Sequence, residues 1–226
     1  MTEKGSRRSY GDACGISRAL DVVGERWALM VVRELLLGPK RFSDIRRGLP
    51  KLSADVLSQR LRGLEEAGIV SHHKLPPPAA TQVYELTPRG MALEPVLIEL
   101  GRWGGCNAPD PTPEMCMSLD AHLVSLRTLF DPARAGGLTA EVQLLLDDEA
   151  FAASIAGGSL EVGRGELARP DATIRSSAGT LLDVLHGRRK LDDALSAGDM
   201  QIEGDRESGR RFTTLFPLPS PAPLPA

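Results

Sequence analysis

The run Ser53-Ala-Asp-Val-Leu-Ser-Gln-Arg-Leu-Arg-Gly-Leu-Glu-Glu-Ala-Gly-Ile-Val70 decides the fold, because its apolar and polar residues fall on opposite faces of one helix. Leu57, Leu61 and Leu64 recur at the spacing that holds one stripe against a core. Asp55, Ser58, Gln59 and Arg62 then point away from it. Ser53 is expected to cap the helix through a free N–H of the first turn, and Gly68 to end it by accepting positive φ. The stretch reads as a DNA recognition helix, since a helix fits the major groove, where base edges present distinguishable donors and acceptors.

The neighbours support that reading. Ile16, Leu20 and Val23 before Gly24 predict a short first helix, and the nearly continuous apolar run Trp27 to Leu37 predicts a central one stopped by Gly38-Pro39. Phe42, Ile45 and Leu49 mark the inward face of a third, and Pro50 forces the turn into the recognition helix. Beyond Gly68 the period changes: Ile69-Val70 and Val83-Tyr84, separated by Pro76-Pro-Pro78 and Ala79-Ala80, predict a hairpin with a proline-rich tip. Thr87-Pro88-Arg89-Gly90 then opens another helix, with Thr87 as cap and Pro88 in the first turn. Its stripe of Leu93, Val96, Leu97, Leu100 and Trp103 either closes the small core or meets a second subunit.

The 226 residues, 42% of them hydrophobic, suit two domains. The net charge of -3 conceals an asymmetry: residues 1–105 carry 16 Lys and Arg against 12 Asp and Glu, residues 106–226 carry 11 against 18. A mildly basic front half suits a polyanion; an acidic back half does not. The expected plan is a flexible N-terminus over 1–13, a first domain over 14–105, a linker over 106–117 with alternating prolines just after Gly104-Gly105, a second domain over 118–216 and a Pro-rich tail over 217–226. The second domain is expected to be α+β: a helix at about 118–130, strands near 140–147, 150–156, 159–164 and 171–176, helices near 177–186 and 190–196, a strand at 199–203, and a last helix through Phe216.

No run of 18 or more apolar residues and no apolar leader at the polar start point to a membrane, so a soluble, cytoplasmic protein is expected. Cys14, Cys106 and Cys116 lack the spacing of a disulfide framework or a zinc knuckle. The four histidines form no metal-ligand pattern, and GxSxG and GxxxxGK motifs are missing. Asp147-Asp-Glu149 reads as solvated charge at a strand turn. Hence no catalytic constellation, metal or cofactor is expected.

Cys14-Gly-Ile-Ser-Arg-Ala-Leu-Asp-Val-Val-Gly-Glu-Arg-Trp27, Arg41 to Leu49, Leu57 to Val70, Val83 to Gly90 and Leu97 to Gly104 together resemble the HxlR family of bacterial winged helix-turn-helix regulators, relatives of MarR-type repressors. The resemblance implies a recognition helix over Ala54 to Ala67, a wing between about Val70 and Tyr84, and Trp27 in the core. It also implies a homodimer built from terminal helices, with Ile16, Leu20, Val96, Leu97, Leu100 and Trp103 at the interface, on a near-palindromic operator. Two departures are local: Gly15 stands where relatives usually have proline, and Pro76 to Ala80 where the wing often carries arginine. The DNA-contact set expected is Arg41, Ser43, Ser53, Ala54, Asp55, Ser58, Gln59, Arg60, Arg62, His72, His73 and Lys74. Gln59 suits adenine, Arg62 guanine, and Arg41 a phosphate. Asp55 is an awkward neighbour for phosphate. Some family members use the position of Cys14 to sense oxidants or electrophiles, with Arg18 one turn away to favour a thiolate.

Pro170 to Ser177, Leu181 to Gly187, Ala194 to Gly204 and the Phe212 to Phe216 run resemble a sterol carrier protein 2-like domain. That likeness implies a curved sheet covered by helices around a tunnel for an apolar effector. Leu144, Phe151, Ile174, Leu181, Leu185, Met200 and Phe216 are the candidates to line it, and equally candidates for ordinary core packing. The function expected is a dimeric transcriptional regulator controlled by such a ligand. The alternatives are a hydrophobic-ligand carrier dimerised through its winged helix, and a redox-sensing regulator acting through Cys14.

Overall fold

The computed structural model describes residues 9–106, 112 and 117–219. Most of the expected linker, Cys116, the first eight residues and the end of the Pro-rich tail lie outside the described residues. The chain divides into two compact units, Met1–Leu97 and Ile98–Ala226.

In the first unit, α1 (Gly15–Val23), α2 (Ala28–Leu35), α3 (Phe42–Gly48) and α4 (Ala54–Glu66) precede the hairpin β1 (Val70–Lys74) and β2 (Gln82–Leu86), α5 (Pro88–Met91) and α6 (Glu94–Gly105). The unit boundary falls within α6, ahead of the Pro-rich stretch. Leu57, Leu61 and Leu64 are buried with Val31, Val32, Leu35, Ile45 and Leu49, so the stripe on α4 does face a core. The N–H of Val56 donates to Ser53 Oγ at 3.4 Å. At the other end Gly68 takes φ +68, its N–H donates to Glu65 O, and that of Ile69 to Leu64 O, both at 2.9 Å. This paired closure satisfies the last carbonyls of the helix. Thr87 caps α5 by accepting from Gly90 N at 3.1 Å.

Several boundaries differ from the sequence reading. Trp27 takes φ +77 and caps α2 from outside; it is half-buried rather than a core residue, with the Arg26 guanidinium 5.3 Å over its ring. The helix opened by Thr87 breaks after Met91 into α5 and α6, and among the described residues α6 buries none of its own. Lys40 forms an isolated antiparallel bridge with Tyr84, which ties the loop after α2 to the two-stranded wing.

Glu34 of α2 is fully buried, with its carboxylate 2.8 Å from both Arg33 Nη2 and Lys40 Nζ. A Cβ on Gly48 would collide with that carboxylate, so the end of α3 packs directly on it.

The second unit contains α7 (Leu119–Leu129), α8 (Pro132–Ala135), β3 (Ala140–Leu146), β4 (Glu149–Ala156), β5 (Ser159–Arg164), β6 (Ala172–Ser176), α9 (Ala178–Leu185), α10 (Leu191–Ser196), β7 (Met200–Gly204) and α11 (Arg206–Phe212). The strands order as β5-β4-β3-β6-β7, with β3 and β6 parallel and all other neighbours antiparallel. This is a mixed α/β unit. Val142, Leu144, Phe151, Ala153, Ile174 and Ile202 alternate into its core, while Glu141, Ser154, Arg175 and Gln201 take the other face. The short α8 is unforeseen, and the last helix ends at Phe212, with a turn carrying Phe216 back into the core 5.0 Å from the Phe212 ring.

The acidic turn is structural. Asp147 and Asp148 take φ +47 and +69 between β3 and β4, where Asp147 Oδ2 accepts from Ala178 N at the start of α9. Glu149 pairs with Arg164, whose Nη2 also grips both oxygens of buried Asp120 at 2.8 Å. Among the described residues no helix is long and apolar enough to cross a membrane.

Removing one partner of a buried ion pair strands the others. Glu34→Gln should therefore lower unfolding stability by about 3 kcal/mol, read by urea denaturation. An unchanged midpoint would show the pair to be dispensable.

Candidate nucleic-acid interface

The turn between α3 and α4 sets the interface. Leu49 and Leu52 are buried, which anchors both ends of the turn, while Pro50, Lys51 and Ser53 are exposed. From Ser53 the α4 helix turns Asp55, Gln59 and Arg62 outward, opposite its leucines. Arg62 lies back along its own helix, with Nε donating to Ser58 O at 3.4 Å. Asp55 sits in the first turn, where the helix dipole favours a carboxylate.

Arg41 and Ser43 are exposed at the start of α3. Beside them Arg46, Arg47 and Lys51 are also exposed, and Arg47 is paired with Asp44 at 3.1 Å. Sequence reasoning passed over these three basic residues. Their signal was the basic run Arg46-Arg47 at the end of α3, with Lys51 in the turn that follows.

Three expected contacts are turned elsewhere. Arg60 is directed toward Glu25, 3.3 Å away, and its side chain is only 16% exposed. Ser58 donates its hydroxyl to Ala54 O at 2.9 Å, and both residues are half-buried. In the wing, His72 and Lys74 share the outer face of β1, whereas His73 points to the opposite face and sits 3.4 Å from Glu85. His72 stacks on Tyr84 at 4.3 Å between ring centroids. Burial, with the Glu65 carboxylate adding to it, pushes the Tyr84 hydroxyl above its ordinary pKa.

The other expected sites fall as follows. Cys14 is exposed and caps α1, with its N–H donating to Asp12 Oδ1 at 3.0 Å. That bond, with one from Ser17, holds Asp12 below the usual carboxylate range. Ile16 and Leu20 on α1, and Val96, Leu100 and Trp103 on α6, are exposed, Trp103 by 78%; Leu97 is half-buried. In the second unit Leu144, Phe151, Ile174, Leu181, Leu185, Met200 and Phe216 are all buried and pack as core. Of the seven, Met200 borders an open cleft of about 650 Å3, which Asp192, Ile202 and Arg210 also line. Among the described residues no group of His, Cys, Asp and Glu could hold a metal ion.

Residues 22–111 match the HxlR-like helix-turn-helix family model, and residues 111–222 match one described as alkyl sulfatase C-terminal, in place of the sterol carrier family that the sequence pattern suggested. The chain is 42% identical over 86 residues to an uncharacterized HTH-type transcriptional regulator, YvaP, of Bacillus subtilis, covering 38% of this chain and 80% of the relative. It is 36% identical over 85 residues to the HTH-type transcriptional regulator YodB of the same organism, covering 38% and 76%. The structure of reduced YodB aligns at 31% identity with a TM-score of 0.39, covering 45% of this chain and all of that one.

Exposed basic residues beside the reading helix should act through phosphate. Arg46→Ala and Lys51→Ala should each weaken duplex binding alike for all sequences and reduce the salt slope of log K by about 1, measured by fluorescence anisotropy over a salt series. A slope equal to that of the parent protein would remove them from the interface.

Proposed function

The chain belongs, through its N-terminal half, to the HxlR-like helix-turn-helix family, and we propose that it is a homodimeric, sequence-specific DNA-binding transcriptional regulator whose second unit senses an apolar small molecule. The observation that carries this reading is the exposed pair Gln59 and Arg62 on a capped helix whose opposite face is locked into a core. Such a helix can enter the major groove only outer face first, which brings an amide suited to adenine and a guanidinium suited to guanine onto base edges. Arg41, Arg46 and Lys51 supply phosphate contacts that fix register, and His72 and Lys74 lie on the wing face that follows the backbone.

Homodimerisation is supported by the apolar residues that α1 and α6 leave in water. Trp103 at 78% exposure and Ile16 at 72% are costly as solvent-facing residues and ordinary as buried subunit contacts. A two-fold dimer places its reading helices on half-sites about 34 Å apart, one turn of DNA.

For the effector, the cleft beside β7 gives a route to Met200 and so to the apolar interior behind it. A ligand taking that route must part the helices over the sheet, and such a change acts on DNA affinity only if the ligand binds the DNA-bound and free conformations unequally. A second reading, control by a thiol, is favoured by the exposure of Cys14 at the start of α1.

Arg62→Ala should cost about 1 to 3 kcal/mol on the preferred site and relax selection at one base position in a binding-site selection from random duplexes. An equal loss on every sequence would reassign Arg62 to phosphate. Native mass spectrometry of protein from its own host should give a dimer carrying a small apolar molecule, and Trp103→Glu should give a monomer. An empty dimer would overturn the sensor assignment, and an unchanged dimer in the variant would overturn the interface.

A further inference from the structure

The sheet of the second unit ends in two edge strands, β5 and β7. An edge presents unpaired N–H and C=O groups, which folds ordinarily cover, charge or bend away. At β5 a cover is present: α7 packs on the strand, and its Arg127 Nη2 donates to Val162 O. The β7 sequence, Met200-Gln-Ile-Glu-Gly204, carries neither lysine nor proline to blunt it. Asp205 N donates to Asp171 O at 2.8 Å, which in this antiparallel register places Gln201 and Glu203 in hydrogen-bonded pairs with Arg175 and Thr173 of β6. The backbone groups of Met200 and Ile202 are then turned away from β6. Among the described residues no other hydrogen bond reaches them. The cleft of about 650 Å3 beside β7 is lined by four residues in succession, Met200 to Glu203. A sheet face shows every second residue, so a cleft that meets all four runs along the edge.

We propose that this edge pairs antiparallel with β7 of a second copy of this chain, about a two-fold axis at Ile202. Of the two-fold registers open to the strand, this one pairs all five residues of each copy. Ile202 exchanges backbone bonds with the partner's Ile202, joining two five-stranded sheets into one, as extended segments add to open sheet edges elsewhere. Gln201 comes opposite the partner's Glu203, in the pair type whose side chains stand closest. Both side chains are exposed on the outer face, so each amide donates to a carboxylate, twice over by symmetry. A register that set Glu203 against the partner's Glu203 would oppose like charges.

Five residues a side bury far less than the roughly 800 Å2 per partner of a standard interface. The contact is therefore weak. It adds to the α1 and α6 dimer proposed above only at high protein concentration, or where neighbouring operators hold two dimers side by side, and it does not depend on that dimer. A copy seated here also covers the mouth of the cleft, so pairing and the effector route past Met200 exclude each other.

Sedimentation of the full-length protein over a concentration series reaching about 1 mM tests the contact. Mass at the dilute end reports the α1 and α6 interface, and growth of mass along the series reports the edge. Gln201→Glu, which sets like charges opposite one another twice, should weaken the concentration-dependent step about fivefold, and Gln201→Lys should strengthen it by a similar factor. Combining Gln201→Glu with Glu203→Gln exchanges the two partners and should restore the parent behaviour. Cysteine cross-linking fixes the register and keeps the proposal falsifiable should a charge variant unfold. Gln201→Cys protein mixed with Glu203→Cys protein should give, on mild oxidation, a 201–203 disulfide peptide in mass spectrometry, whereas neither protein alone should give a 201–201 or 203–203 link. A mass that stays constant along the series, a step indifferent to Gln201→Glu, an exchange that fails to restore it, or self-links as abundant as the mixed link would each overturn the pairing.

Discussion

The DNA-facing unit is organised around one buried carboxylate. Glu34 sits in the central helix with no exposure, and among the described residues it pairs with cations from different places: Arg33 from the same helix, Lys40 from the loop that bridges to Tyr84 in the wing. Gly48, at the end of the supporting helix, packs against the same carboxylate, where any side chain would collide. A charge withdrawn from water is tolerated only when its partners are held in place, so the network penalises any drift among α2, α3 and the wing. Those three elements in turn fix where the Pro50 turn launches α4. The reading helix is presented by a frame rather than by its own stability.

Electrostatics then divide the work on that helix. Its leucines are committed to the core, Arg60 is turned toward Glu25, and Ser58 bonds its own backbone, which leaves Gln59 and Arg62 as the exposed polar residues that are not acidic. Asp55 is accommodated because it opens the helix, where the dipole is positive. In the proposed regulator, base reading would thus rest on few side chains.

Local signals made most of this fold legible in the sequence. Ser53, Gly68 and the Thr87-Pro88 pair mark helix ends through backbone chemistry that acts within a few residues, and the alternation of the second half places five strands to within two residues or so. What escaped depends on partners distant in the chain. Trp27 looks like core from its composition, yet its positive φ leaves it half-buried at a helix start. Arg60 has the same character as Arg62 in a list of residues; only the fold brings Glu25 to it. Apolar residues of the second unit carry no mark distinguishing a cavity lining from a packed core, and all seven candidates are buried. The acidic turn is exposed as its sequence suggests, but its bonds to the start of α9 and to Arg164 join residues far apart in the chain.

The central claim is that two copies of this frame read one operator through α4. Footprinting on the DNA upstream of its own coding region tests it most directly. Two protected segments related by a two-fold axis, with centres about 34 Å apart, are the predicted result. Protection that spreads without boundaries over any duplex, or a single segment without symmetry, would contradict it.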